Sequence, residues 1–351
     1  MDNFSIYGEI HDQPETWKSI ISSFRKEEQK IKEFLGKKDT FIFSGCGSGH
    51  NASVYSKNIS EFFLDKVCHD YQASEIKFYA PEIFSKGNIQ NTVTFLFSRS
   101  GETTETVDAL KNIIKNKFST SFGITCYENS FLYKNCDYSF SLADANEKAV
   151  TTTKSLTSMD LLSILIFNSI SKGVDFTESI DKLPDLCKKV IENFEGLAKK
   201  IGETDKINKF FLLANMPNFG IARESKLKLL EMTLSWADCF NTLDFRHGPK
   251  AVIDKNSLVA IFLTDKGIEY ELQVSKEMKE LGAELLIFGD KVPESFYGLT
   301  ENIVDLSENV SEWIRGILFL PFIQLLSYYK ALKKGLDPDN PKNLSYFVEI
   351  K

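Results

Sequence analysis

The apolar residues of the chain occur in short runs that alternate with longer helical patterns. A helical pattern from about Trp17 to Leu35 is followed by apolar runs near Phe41, Val93, Phe122 and Tyr138. Runs of this length are typical of buried strands, and the segments between them have the spacing of amphipathic helices. Strands that alternate with helices predict a parallel sheet with helices on both faces, which is an α/β fold.

A second series of the same kind begins after residue 175, which predicts that the chain contains two copies of one α/β unit. In support of a repeat, 53 positions separate Gly45 from Ser98 in the first half, and 50 separate Ala214 from Thr264 in the second. The second series comprises a helix from about Ile180, strands near Phe210, Val259, Leu285 and Ile303, and a long apolar helix from about Val310 to Leu332.

The composition excludes several classes of protein. The 351 residues are 42% hydrophobic and 26% charged, and a net charge of −7 argues against nucleic acid as the main partner. There is no apolar leader and no apolar stretch long enough to cross a bilayer, so we expect a cytoplasmic protein without a membrane partner. The six cysteines form no CxxC pair, and we expect no metal site and no organic cofactor.

Two turns rich in serine and glycine, residues 44–50 and 98–103, follow apolar runs of the first half. The start of a helix after a buried strand favours an anion, because backbone N–H groups, the helix dipole and hydroxyls all point to it. Serines on both sides of Arg99 exceed what a helix cap needs. The corresponding turns of the second half lack these residues, so we expect one phosphate site, in the first half.

A charged set in the second half has helical spacing. Glu224, Lys228 and Glu231 follow an i, i+4, i+7 pattern, and the simplest interpretation is a surface ion pair between the first two. Glu231 also falls about 40° around the helix from Leu227, whose predicted apolar stripe includes Leu230 and Leu234. A carboxylate at the edge of such a stripe is partly desolvated, which favours its protonated form and suits a general base.

These segments occur in the order found in a known family. The two turns, the stretch 149–155, the helix 224–231, the segment 245–249 and the tail 341–344 resemble the double-SIS family of sugar isomerases, which includes the isomerase half of glucosamine-6-phosphate synthase and amino-sugar-6-phosphate deaminases. The resemblance extends from about residue 40 to the C-terminus. It implies two tandem SIS domains of three-layer α/β/α architecture, with an N-terminal helical segment (1–35), a phosphate-binding domain (36–175), a catalytic domain (176–333) and an extended tail over the active site (334–351).

The resemblance also implies which residues act. The catalytic residues are Glu231, Lys228 and His247, and His247 helps to open the sugar ring in a neighbouring subunit, which implies a homodimer. The residues expected to bind substrate or phosphate are Gly47, Ser48, Gly49, Ser98, Arg99, Ser100, Thr103, Val150, Thr152 and Ser345. Arg99 stands where relatives often have glutamine, and we expect it either to bind phosphate or to lie at the surface.

Two departures from the family affect the expected chemistry. Gly49 stands where relatives often have serine, so that hydroxyl contact is lost or replaced by Ser48. Relatives of the synthase type carry an imine-forming lysine two positions after an Asn-Leu pair, whereas Asn343-Leu344 is followed here by Ser345 and then Tyr346. Tyrosine forms no imine, which leaves Lys228 as the candidate amine.

The activity that the resemblance implies is aldose–ketose isomerisation of an amino-sugar 6-phosphate, with Glu231 moving the proton through an enediolate or enolamine. Release of ammonia then yields a ketose 6-phosphate. We expect no glutaminase activity, because no glutaminase segment precedes residue 40. A fructosamine-6-phosphate deglycase and a non-catalytic sugar-phosphate sensor are the alternatives.

Overall fold

The computed structural model describes residues 4–84 and 91–346, and these form two compact units. One unit contains residues 12–184 together with 345 and 346, and the other contains residues 4–11 and 185–344. The predicted N-terminal segment 1–35 is therefore divided between them: α1 (Ser5–His11) belongs to the second unit and α2 (Gln13–Leu35) to the first. Helix α2 begins four residues before the predicted start, with Pro14 in its first turn, where no N–H is needed.

The first unit is built on a five-stranded parallel sheet in the order β2-β1-β3-β4-β5. The strands are β1 (Thr40–Gly45), β2 (Val67–Gln72), β3 (Thr92–Phe97), β4 (Thr120–Thr125) and β5 (Tyr138–Ser141). The helices that follow α2 are α3 (Ser48–Phe63), α4 (Ala73–Phe84), α5 (Thr104–Asn116), α6 (Phe131–Asn135) and α7 (Lys154–Ile170), while α8 (Thr177–Gly202) contributes residues to both units.

The second unit repeats this arrangement with the sheet order β7-β6-β8-β9-β10. Its strands are β6 (Lys209–Ala214), β7 (Trp236–Phe240), β8 (Ser257–Phe262), β9 (Glu284–Gly289) and β10 (Ile303–Asp305). Its remaining helices are α9 (Phe219–Thr233), α10 (Ile268–Glu280), α11 (Glu294–Tyr297), α12 (Glu312–Arg315) and α13 (Leu320–Lys333). Because both sheets have the order 2-1-3-4-5, the predicted internal repeat and the α/β fold are confirmed.

Stacked aromatic rings fill one face of the first sheet. The ring of Phe95 lies 6.0 Å from that of Phe41, 5.2 Å from that of Phe43 and 4.9 Å from that of Phe122, and all four side chains are buried. Aliphatic side chains dominate a core cluster of the second unit, including Val259, Leu285 and Ile287. All three central strands of each sheet therefore come from apolar runs of the sequence, as their continuous hydrophobic character predicts.

Two sequence predictions about the elements need correction. Strands β2 and β7 were not predicted. Each lies at a sheet edge and has a single fully buried residue, so neither forms an apolar run in the sequence. The helix expected from Val310 to Leu332 is instead α12, a 3-10 turn (Gly316–Phe319) and α13. Pro321 lies in the first turn of α13, where its missing N–H is tolerated.

The alignment of the two repeats is also shifted by one residue at the second turn. Ser98 N–H donates to the carbonyl of Ile124 on β4, and in the other sheet Leu263 N–H donates to the carbonyl of Phe288 on β9. Ser98 therefore corresponds to Leu263, and not to Thr264 as the sequence spacing predicted. In the structure Gly45 corresponds to Ala214, because each ends its strand opposite the last residue of the next one.

Both turns highlighted by the sequence lie at the carboxyl ends of β1 and β3, which are neighbours in the first sheet. Strand order reverses between these two strands, and the crevice at such a reversal is where open parallel sheets bind ligands. Within the described residues, no helix has both the length and the apolar character that a membrane span requires.

Candidate functional site

The turn after β3 brings three hydroxyls together. Ser98 Oγ lies 3.0 Å from Thr103 Oγ1 and 3.5 Å from Ser100 Oγ, and both serines are almost fully buried. Gly101 has φ of +67°, and a Cβ there would stand 2.2 Å from Ser130 Oγ, so this turn requires glycine. The predicted phosphate residues Ser98, Ser100 and Thr103 therefore form one hydroxyl cluster at the start of α5.

The turn after β1 is closely packed on β3, which explains its glycines. A Cβ on Gly49 would lie 2.6 Å from the carbonyl oxygen of Phe97, so the serine that relatives often have does not fit this backbone. Gly47 has φ of +53° and directly precedes α3. Ser48, the first residue of α3, accepts a hydrogen bond of 2.8 Å from Thr152 Oγ1, which joins two predicted substrate-binding residues.

Arg99 is buried, and the expectation of a surface arginine is wrong. Its Nη1 donates to the carbonyl of Ala149 and its Nη2 to that of Val150, each at 3.0 Å. The guanidinium thus holds the predicted substrate loop beside the hydroxyl cluster, and its bond to phosphate stays a prediction. The carboxylate of Glu147 lies 3.6 Å from Nη1.

Sequence reasoning missed Glu147, whose side chain is fully buried. It accepts hydrogen bonds from Thr153 N at 2.8 Å, Thr153 Oγ1 at 2.7 Å and Lys154 N at 3.1 Å, and a further one from Ser155 Oγ. A carboxylate that bonds the first N–H groups of a helix is a cap, and here it orders the loop before α7. The only signal in the sequence is an acidic residue several positions before a helix start, which is too common to single out.

In the second unit, Lys228 is held between two carboxylates on α9. Its Nζ lies 3.2 Å from Glu224 Oε1 and 2.7 Å from Glu231 Oε2. Lys228 and Glu224 are buried, while the Glu231 side chain keeps 21% of its surface exposed. The interpretation of Glu224 and Lys228 as a surface ion pair is therefore wrong. Of the three, Glu231 is the charged side chain that solvent reaches.

The predicted apolar stripe beside Glu231 is also wrong. Leu230 and Leu234 are exposed and Leu227 is only half-buried, because α9 turns its opposite face, with Ile221 and Leu229, to the core. The environment of Glu231 is set by the ammonium of Lys228 instead. Burial lowers the pKa of Lys228, but Glu224 and Glu231 outweigh that effect and raise the pKa above its ordinary value. Lys228 is thus an ammonium at neutral pH, which disfavours it as an imine-forming amine.

His247 lies at the end of a 3-10 turn (Asp244–Arg246) and is exposed. The backbone N–H of His247 donates to the carbonyl of Asp244 at 2.9 Å. Gly248 follows with φ of +139°, a backbone conformation that glycine allows. The turn thus presents the imidazole at the surface of its unit. The tail residue Ser345 is exposed as well, and the predicted tail residues 347–351 lie outside the described part of the chain.

The family model for the SIS domain matches residues 34–166. This part of the chain is similar to SIS domains. Among curated proteins it is 26% identical to a glutamine–fructose-6-phosphate aminotransferase (isomerizing) of Caldanaerobacter subterraneus and 29% identical to that of Chlamydia abortus, in each case over 98% of this chain and 58% of the relative. The chain thus spans somewhat more than half the length of these relatives, and the match lies in the family that the sequence motifs indicated.

Solved structures agree with this relationship. The glucosamine-6-phosphate deaminase of Thermotoga maritima is 28% identical, with a TM-score of 0.81 over 99% of this chain and 100% of that one. The tagatose-6-phosphate ketose/aldose isomerase of Escherichia coli has a TM-score of 0.85 over 96% and 95% of the two chains, at 21% identity, and shows the fold alone. The resemblance to the double-SIS sugar isomerases is confirmed.

Proposed function

We propose that the protein is an enzyme that isomerises an amino-sugar 6-phosphate and releases its amine as ammonia, leaving a ketose 6-phosphate. The observation that carries this proposal is the set on α9, in which a buried ammonium, Lys228, lies 2.7 Å from a carboxylate that solvent reaches, Glu231. One relative supports the substrate class, because its name is glucosamine-6-phosphate deaminase.

The phosphate of the substrate binds at the hydroxyl cluster of the first unit. Ser98, Ser100 and Thr103 each offer a hydroxyl donor, and α5 begins directly after Thr103. Hydrogen bonds to a dianion are stronger than bonds between neutral groups, and the helix dipole adds to them.

Glu231 moves the proton. The C2–H bond of the open-chain sugar breaks, the proton passes to the carboxylate, and it returns at C1 of the enolamine. The C2 imine that remains adds water and loses ammonia, which gives the ketose. The ammonium of Lys228 stabilises the oxyanion that develops during this transfer, and its raised pKa keeps it charged for that role. His247 assists ring opening, and in our proposal it does so in the site of a second subunit of a homodimer.

The tail favours one alternative. Tyr346 replaces the lysine of synthase-type relatives, so the ketose is not held as an imine on the tail, and a bulkier amine leaving group then becomes compatible with the same scaffold. A fructosamine-6-phosphate deglycase is the second candidate function.

The test is product analysis. The purified protein is incubated with glucosamine 6-phosphate, galactosamine 6-phosphate, mannosamine 6-phosphate, fructose 6-phosphate and fructoselysine 6-phosphate, and ammonia, free lysine and ketose are measured. Ammonia and a ketose in equal amounts from a hexosamine 6-phosphate support the proposal. Lysine release from fructoselysine 6-phosphate alone indicates the deglycase, and binding of these compounds without turnover indicates a sensor.

A further inference from the structure

We propose that Tyr346 is a positioning residue that fastens the C-terminal tail to Arg99 and thereby couples the order of the tail to sugar-phosphate binding. This inference rests on the proposed function for its substrate. It goes beyond that function because it gives the tail a non-covalent role in place of the imine chemistry that tyrosine cannot perform.

Tyr346 is the anchor of the described tail. Residues 342–345 are all exposed, whereas Tyr346 is half-buried and belongs to the first unit. The guanidinium carbon of Arg99 lies 4.0 Å from the centroid of its ring, which is the distance of a close cation–π contact. Arg99 Nη2 also lies 3.5 Å from the Tyr346 carbonyl oxygen. One guanidinium therefore contacts both the side chain and the backbone of the anchor.

The hydroxyl of Tyr346 fixes the direction of the ring. It lies 2.9 Å from the hydroxyl of Tyr127 and donates a hydrogen bond of 2.7 Å to the backbone carbonyl of Glu147. Burial and the bond to Tyr127 raise the pKa of Tyr346 far above its usual value, so the phenol stays protonated and remains a donor. Phenylalanine at this position keeps the stacking and loses both polar contacts.

Arg99 links this anchor to the predicted binding residues. It lies between Ser98 and Ser100 in the hydroxyl cluster, and its two Nη atoms hold the carbonyls of Ala149 and Val150 in the predicted substrate loop. Loss of the aromatic ring exposes one face of a guanidinium that orders two substrate-binding segments. Arg99 consequently links the tail, the hydroxyl cluster and the substrate loop, so that a change in the order of one affects the other two.

The experiment compares Tyr346→Ala and Tyr346→Phe with the wild type, and Tyr270→Ala, on the exposed surface of α10, is the matched control. Two quantities are measured for each protein. The first is the KM and kcat for the best substrate of the product analysis. The second is the rate at which trypsin cleaves after the exposed Lys342, followed by mass spectrometry of the released peptide with and without that sugar phosphate.

We expect Tyr346→Ala to raise KM about tenfold with kcat changed by less than about twofold, as loss of a buried cation–π contact and two hydrogen bonds implies. We expect its tail to be cleaved about tenfold faster than that of the wild type, with little protection by sugar phosphate. Tyr346→Phe should rescue most of both effects, and Tyr270→Ala should match the wild type.

An unchanged KM or an unchanged cleavage rate in Tyr346→Ala overturns the proposal. A fall in kcat without a rise in KM also overturns it, because it assigns Tyr346 to the chemical step. If the wild type turns over none of the sugar phosphates, the proposed function fails, and the cleavage rates without ligand still decide whether Tyr346 holds the tail.

Discussion

The two repeats differ in the chemistry of the turn that follows a corresponding strand, β3 in the first repeat and β8 in the second. After β3, the first repeat presents the hydroxyls of Ser98, Ser100 and Thr103. After β8, the second repeat presents Thr264, whose N–H and hydroxyl each donate to the buried carboxylate of Glu271 at 2.9 Å. The same strand order thus carries hydroxyls that bond one another in one copy and donors that are bonded to an acid in the other.

A second carboxylate, that of Glu312, also accepts a hydrogen bond from this turn of the second repeat. The N–H of Asp265 donates to Glu312 Oε2 at 2.7 Å, and Arg315 bonds the side chain of Asp265 and the carbonyl of Leu263. Backbone donors at such a turn attract anions in general. In the second repeat the chain supplies those anions itself, and a phosphate would meet like charge there. The fold provides the position of an anion site, and a few side chains decide whether a ligand or the protein fills it.

The largest expected effect comes from comparing two glutamates of the second repeat. Glu231→Gln should lower kcat on the order of 10³-fold, because the amide accepts no proton from C2, while the affinity for sugar phosphate stays near that of the wild type. Glu271→Gln, which alters an acid that bonds Thr264 and Asn215 of the second repeat, should keep turnover within about threefold. Steady-state kinetics and calorimetric binding give both values. Equal turnover in Glu231→Gln and wild type would remove Glu231 from the proton transfer.

An effect of intermediate size is expected at the hydroxyls of the first repeat. Ser98→Ala and Ser100→Ala should each weaken sugar-phosphate binding about tenfold, since each removes a hydrogen bond to a charged group. Thr264→Val, in the corresponding turn of the second repeat, removes a hydroxyl that donates to Glu271 and should leave that affinity unchanged. Isothermal titration with the sugar phosphate distinguishes the two turns. A tenfold loss of affinity in Thr264→Val would contradict the proposal, because it would place the phosphate at the second repeat.

Local sequence pattern predicted the central strands and the two loops of the first repeat, because continuous apolar runs and glycine-rich turns depend on near neighbours in the chain. The edge strands β2 and β7 were not predicted, since most of their residues are exposed or only half-buried and their pairing depends on a distant strand. Pattern also predicted the charged spacing on α9 but misjudged which face is buried. The face of a helix that meets the core is decided by what packs on it.

Buried carboxylates were the least predictable part of the candidate site. Glu147 and Glu271 each organise a turn through several hydrogen bonds, yet in sequence each is an ordinary acidic residue near a helix start. Their partners lie six to eight positions away in the chain, and the bonds depend on the turn that brings them back. The role of Arg99 was equally hidden, because its partners at residues 149, 150 and 346 are distant in sequence.

The smallest expected effect is a pH dependence that comes from the second repeat. Burial raises the pKa of Glu271 from an ordinary 4.5 to about 7, against the opposing effect of the bonds from Thr264. Since the folded state then binds this proton more tightly than the unfolded state, its stabilising contribution is complete below pH 4.5 and is lost as pH rises through 7. The hydroxyl cluster of the first repeat contains no such acid.

Glu271→Gln should therefore remove a loss of stability of about 1–2 kcal/mol between pH 5 and pH 8, because the neutral amide carries no charge to bury. Urea unfolding at several pH values measures this, and Glu269→Gln, an exposed change on the same helix, is the control that should follow the wild type. If the free energy of unfolding depends on pH in the same way for wild type and Glu271→Gln, then burying the charged carboxylate of Glu271 does not destabilise the protein. The turns after β3 and β8 would then differ only in which anion they bind, and not in the free energy that binding this anion requires.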